Sequence, residues 1–67
     1  VLLTWDDSYE IVQRLMETYP NQNVEDVGMD ELFQMIVGLP SFGDDPALVN
    51  ESILKDILRE WYEESSD

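Results

Sequence analysis

Cysteine and histidine are both missing from this 67-residue sequence, and the two absences together remove most reactive protein chemistry. Without cysteine there can be no disulfide, no thiolate zinc site and no cysteine-ligated cluster. Without histidine a Ser-His-Asp relay and imidazole ligation are excluded as well. Basic residues are scarce: three Lys and Arg stand against sixteen acids, for a formal net charge of −13. Such a charge density repels nucleic acid phosphates and anionic membrane surfaces alike, so the expected partner is basic, with no nucleic acid and no membrane. Long apolar runs are lacking too. The longest, Met35 to Leu39, is far too short to span a bilayer, and no charged, apolar and small-residue order at the start resembles a secretory signal. The expectation is a cytoplasmic, non-enzymatic monomer.

What remains is a chain built to fold. It is 43% apolar with two Trp, which separates it from a disordered acidic tail. The whole of 1–67 is expected to form one domain, small enough that its core supplies roughly 3 to 5 kcal/mol of net stability. The organising stretch is Asn50 to Glu64, where Ile53, Leu54, Ile57, Leu58, Trp61 and Tyr62 recur on one side of a helix. Asn50 suits the cap and Glu51 the first turn. The other side carries Asp56, Glu60 and Glu63, relieved by Lys55 and Arg59. Acids crowd the C-terminal end of this helix, where the dipole favours cations. Fold stability alone does not account for them.

Ahead of that helix, Val1 to Trp5 is expected to form an apolar arm or edge strand, with Trp5 as a core anchor. Asp7-Ser8-Tyr9-Glu10 has the pattern of a capping box, followed by Ile11, Val12, Leu15, Met16 and Tyr19 on one face of a helix ending before Pro20. Arg14 lies at helical spacing from both Glu10 and Glu17. Asn23 is positioned to cap a single turn over Val24 to Asp26, and Val27 to Met29 are expected to be extended. Asp30 then reads as the cap of a second main helix, apolar nearly all round from Leu32 to Leu39, which predicts a central position. Gly38 and Pro40 stop it. In the loop from Ser41 to Pro46, Asp45 caps a brief turn that has Pro46 at its first position. The pattern predicts a mainly α domain with three principal helices and at most a vestigial β-sheet.

Among the acids, Asp7, Glu10, Asp30, Glu31, Asp45 and Glu51 fall at expected helix starts, where capping and the dipole explain them. Glu17, Glu60, Glu63 and Glu64 lie toward helix ends, and Asp44 has no evident local duty, so these point to recognition. The Asp44-Asp45 pair lacks the spaced acids, glycine and distal Glu of an EF-hand loop. Asp7-Ser8 leading into a helix invites comparison with acyl carrier proteins. In those the attachment serine follows a whole helix and loop, whereas only seven residues precede Ser8. A further alternative from charge alone is an acidic protein-binding domain that mimics DNA.

Four stretches carry a family resemblance when taken in order: Leu3-x-Trp5-x-Asp7-Ser8-x-Glu10-Ile11, Tyr19-Pro20, Phe42-x-Asp44-Asp45-Pro46, and Asn50-Glu51-x-Ile53-Leu54-x-x-Ile57-Leu58-x-x-Trp61. Their spacing resembles the IscX family, small acidic proteins of bacterial iron-sulfur cluster assembly. The resemblance implies a winged-helix-like fold, a cytoplasmic location and an adaptor role. It further implies docking of an acidic surface on a basic patch of the cysteine desulfurase IscS, shared with bacterial frataxin, and weak binding of Fe(II). The implied partner-binding residues are Asp7, Glu10, Glu17, Asp44, Asp45, Glu60, Glu63 and Glu64, with Asp7, Glu10, Glu63 and Glu64 as weak metal ligands. Departures are Gly43 in place of a third loop acid, Val24 in place of a Pro, and Met29 and Met35 in place of aromatics.

Overall fold

The computed structural model describes residues 2–65. Three helices, α1 (Ser8–Thr18), α2 (Met29–Val37) and α3 (Glu51–Ser65), are joined through 3₁₀ turns at Val24–Asp26 and Pro46–Leu48. The expected mainly α class with three principal helices is observed. Among the described residues the sheet has shrunk to one parallel bridge, Leu3 with Phe42.

α3 is the hub: α1, α2 and the 24–26 turn all pack on it. Its first turn is held by Asn50, whose Oδ1 accepts from the Ile53 N–H at 2.9 Å. Ser65 Oγ donates back to the Trp61 carbonyl at 2.7 Å, satisfying one of the acceptors that a helix end leaves open. Leu54, Ile57 and Trp61 are buried. Tyr62 was expected on this stripe, but it is 49% exposed. One residue past Trp61 turns the helix by about 100° and carries the side chain off the packed face.

α1 buries Ile11, Val12 and Leu15 and ends at Thr18, ahead of Pro20 as expected. The capping box does not form. Asp7 occupies the cap position without a capping hydrogen bond, because its Oδ2 accepts instead from Thr4 N at 3.0 Å and Thr4 Oγ1 at 3.3 Å. The Asp7 N–H donates to the Thr4 carbonyl, so the turn from Thr4 to Asp7 competes successfully for the carboxylate. The cap of α2 also differs. Gly28, not Asp30, holds the cap position, the helix opens at Met29, and Asp30 sits in the first turn where the dipole favours it. Leu39, expected inside α2, lies beyond its end, with its N–H on the Ile36 carbonyl. Nor is α2 the central element that its apolar surplus suggested. Part of that surplus meets the N-terminal arm: the Phe33 ring stacks with Trp5 at a centroid distance of 6.3 Å.

The arm is fastened to the loop before α3 by a compact set of bonds. Leu3 N–H donates to the Ser41 carbonyl at 2.6 Å, and Gly43 N–H to the Leu3 carbonyl at 2.9 Å. Trp5 Nε1 donates to the Asp45 carbonyl at 2.8 Å. Its backbone N–H donates to Asp44 Oδ2 at 3.1 Å, while Asp44 Oδ1 accepts from the Asp45 N–H at 2.8 Å. Asp44 therefore has the local duty that sequence reasoning did not give it. Asp45 caps the 46–48 turn through the Ala47 N–H at 2.9 Å, as expected. Gly43 is tied to the same junction, since a Cβ there would lie 2.5 Å from the Leu2 Cβ. An acid at this position would displace the arm.

Asp44→Ala should lose about 1 to 3 kcal/mol, because Trp5 and Asp45 N–H groups lose their acceptor together. Urea unfolding followed by Trp fluorescence measures it. Asp56→Ala, at an exposed carboxylate outside any described hydrogen bond, should change stability by no more than about 0.5 kcal/mol.

Candidate docking surface

Charge is segregated around α3. Successive residues of a helix turn by about 100°, which sets Asp56, Glu60 and Glu64 along one flank and Lys55, Arg59 and Tyr62 along the other, with Glu63 between them. The surroundings agree. Asp56, Ile53 and Ile57 line a cleft with Trp5, Asp6 and Ser8. Lys55, Arg59, Leu58 and Tyr62 line a groove with Val24, Glu25, Val27 and Met29. Two of the three cations of the chain thus share one side of its longest helix, and the neighbouring flank with Asp56, Glu60 and Glu64 holds no cation of α3.

The same neighbours fix the relation of α1 to α3. Asp6 and Ser8, at the start of α1, adjoin the first half of α3. Gln22 to Glu25, after the end of α1, adjoin Tyr62 and Ser65. The two helices run in the same sense.

This geometry sorts the predicted site residues into groups. Glu60 and Glu64 lie on the acidic flank and are half-buried, while the exposed Glu63 borders it and reaches Arg59. Glu10 and Glu17 are exposed, and by helical spacing they share the outer face of α1. Arg14 Nη1 reaches Glu17 Oε2 at 3.1 Å, and the expected second pairing with Glu10 is not made. Asp7, Asp44 and Asp45 all bond backbone groups of the arm and loop.

The expected metal ligands are not assembled. Asp7 and Glu10 belong to the end of the molecule where α3 begins, and Glu63 and Glu64 to the end where it finishes. Among the described residues no three carboxylates gather where they could hold an ion. A preorganised metal centre therefore does not fit this donor set, which offers at most scattered pairs to a hard or borderline cation.

The cationic flank is locally neutralised. Lys55 Nζ pairs with Glu51 Oε1 at 2.8 Å, and Arg59 Nε with Glu63 Oε1 at 3.3 Å. The hydrogen bond from Lys55, reinforced by its charge, holds the Glu51 carboxyl below its ordinary pKa, and the same contact raises Lys55. The Glu51 contribution to stability is thus present above that carboxyl's ordinary pKa and fades as pH falls through the lowered value. The Lys55 contribution is present below the ordinary lysine value and fades as pH rises through the raised one. Both groups are exposed, so solvent screens the pair and its weight in the fold is small.

Two features escaped sequence reasoning. The meeting of Asp6 and Asp56 at one cleft is not legible in the sequence, because only the fold brings the N-terminal turn against α3. The apolar groove beside Lys55 and Arg59 escaped because Tyr62 was assigned to the core. Among the described residues no helix is long and apolar enough to cross a membrane.

Comparison with known proteins supplies a family. The family described as iron-sulphur cluster assembly matches residues 3–66. An uncharacterized protein of Pseudomonas aeruginosa is 37% identical over 62 residues, covering 92% of this chain and 94% of its own. With a match running over nearly all its length, the chain belongs to the IscX-type family of iron-sulphur cluster assembly proteins.

Proposed function

We propose that this protein is a non-enzymatic, cytoplasmic adaptor of iron-sulphur cluster assembly that docks as a monomer on a cysteine desulfurase. Family membership supplies the process. The observation that carries the docking mode is the uneven spread of charge around α3, with Asp56, Glu60 and Glu64 on one flank and Lys55 and Arg59 on the other, each of these cations already paired with a glutamate. An evenly distributed charge of −13 would attract a basic surface in any orientation, whereas a one-sided one selects an orientation. The surface that answers it is a Lys- and Arg-rich patch, the kind expected on IscS where bacterial frataxin also binds. Complementary patches of this sort speed encounter and fix register more than they add affinity.

Glu10 and Glu17 extend the anionic surface on α1. Asp7, Asp44 and Asp45 contribute charge, but each also holds backbone N–H groups, so their main effect on docking is through the shape of the arm. Fe(II) is a weak ligand in this proposal, held by exposed carboxylate pairs with water completing the shell. If iron and the desulfurase use the same carboxylates, they compete.

The triple variant Glu60→Lys, Glu63→Lys and Glu64→Lys should lose ten-fold or more in desulfurase affinity, measured by calorimetry at low ionic strength. The parent's affinity should fall steeply as salt rises. Retention of full affinity by the variant would remove the docking proposal. Titration of the purified protein with Fe(II) should show weak sites; tight, saturable uptake of several ions would indicate an iron store instead. Self-repulsion among the acids also implies that moderate salt raises the melting temperature. A thermal scan at two salt concentrations measures this, and no change would mean the charges are already balanced.

A further inference from the structure

The groove beside the cationic flank of α3 has a volume of about 320 Å³, inside the roughly 300 to 1,000 Å³ range of ligand sites. Here the fold leaves apolar surface within reach of solvent. Met29 and Leu58 are half-buried and Tyr62 is 49% exposed, while Val24 and Val27 are buried beside them. Most of the accessible lining is therefore apolar. An apolar side chain has somewhere to lie.

Three charged residues complete the lining: Glu25 on the 24–26 turn, and Lys55 and Arg59 one turn apart on α3. The chain has three cations against sixteen acids, and two of the three edge this one groove. Their own helix does not exhaust them. Lys55 Nζ meets Glu51 and Arg59 meets Glu63 through Nε, which leaves Lys55 further donors and Arg59 the outer edge of its guanidinium. Among the described hydrogen bonds and ion pairs, none engages Arg59 Nη1 or Nη2, the two nitrogens that take a carboxylate side-on. All four side chains of these pairs are more than half exposed. The pairs are thus screened by solvent and contribute little, so a second carboxylate can share the cations without loosening the fold.

We infer that this groove docks a partner segment in which an apolar side chain is flanked by a carboxylate, the side chain lying on Met29, Leu58 and Tyr62 and the carboxylate meeting Arg59 Nη1 and Nη2 beside Lys55. Glu25 opposes that carboxylate and so confines it to the α3 wall. A second copy of this chain is a poorer occupant, because each copy brings a net charge of −13 and like charge resists self-association. The groove lies away from the flank of Asp56, Glu60 and Glu64, so its occupant is distinct from the basic surface proposed above. The inference is independent of desulfurase docking.

The capped tripeptide acetyl-Glu-Phe-Glu-amide is titrated into the full chain and followed by backbone amide and methyl NMR shifts. Acetyl-Gln-Phe-Gln-amide, which lacks the carboxylates, and acetyl-Glu-Gly-Glu-amide, which lacks the apolar side chain, are the comparisons. Saturable shifts at Val24, Val27, Met29 and residues 55–62 are expected, with tighter binding of the first peptide than of either comparison. The Lys55→Gln, Arg59→Gln variant should bind it about three-fold more weakly or worse, as expected for losing exposed charge pairs. Glu25→Gln should bind it more tightly. Equal binding of the charged and uncharged Phe peptides, shifts outside the groove, or affinity unchanged in both variants would overturn the inference. So would a molar mass that doubles with concentration in sedimentation equilibrium and is reduced by Met29→Gln, since a second copy would then be the occupant.

Discussion

The hydrogen bonds that Asp44 and Asp45 make to Trp5 hold the molecule in the form its surface requires. Trp5 is only 5% exposed, and a buried indole and backbone N–H must find acceptors or cost the core their desolvation. The loop before α3 supplies both, from the Asp45 carbonyl and the Asp44 carboxylate. The result welds the first residues of the chain to the segment that launches its longest helix. Leu3, Gly43 and the Phe33 and Phe42 rings fit around that weld. The long-range hydrogen bonds described all join residues 3–5 to residues 41–45, so the placement of the arm and the entry to α3 share one origin.

Much of this was legible in the residues. Helix positions followed from apolar spacing, and three caps followed from residue type alone: Asn23, Asn50 and Asp45 each accept the expected N–H. The misreadings have a common physical cause, which is that a carboxylate has more than one nearby donor. Asp7 chose Thr4 over its own helix, Asp30 yielded the cap to Gly28, and Asp44 found a donor thirty-nine residues away. Local pattern says that an acid can cap, but only tertiary placement decides which donor it meets. Tyr62 shows the same limit for apolar residues, because a stripe on a short helix is wider than the surface available to cover it.

The site was legible as a class and not as a geometry. An acidic surface was expected from composition, and the structure adds that its members are unequal. Asp7, Asp44 and Asp45 are committed to backbone groups, Glu17, Glu51 and Glu63 to cations, and Asp6 and Asp56 to neither. Carboxylates of one charge thus divide into those that shape the surface and those that are free to meet a partner. A chain without cysteine or histidine can act through that division alone.

The common direction of α1 and α3 has an electrical consequence that counting charges misses. Each helix carries the equivalent of about half a negative charge at its C-terminal end, and no basic residue occupies the last turn of either. Glu64 adds a full charge at the end of α3, while Glu17 and Glu63 add charge that Arg14 and Arg59 partly offset. The backbone and the side chains therefore polarise the molecule in one direction along its longest helix, giving it an anionic pole whose potential exceeds what its side chains alone would set. A molecule polarised in this way turns in the field of a basic surface before it touches it.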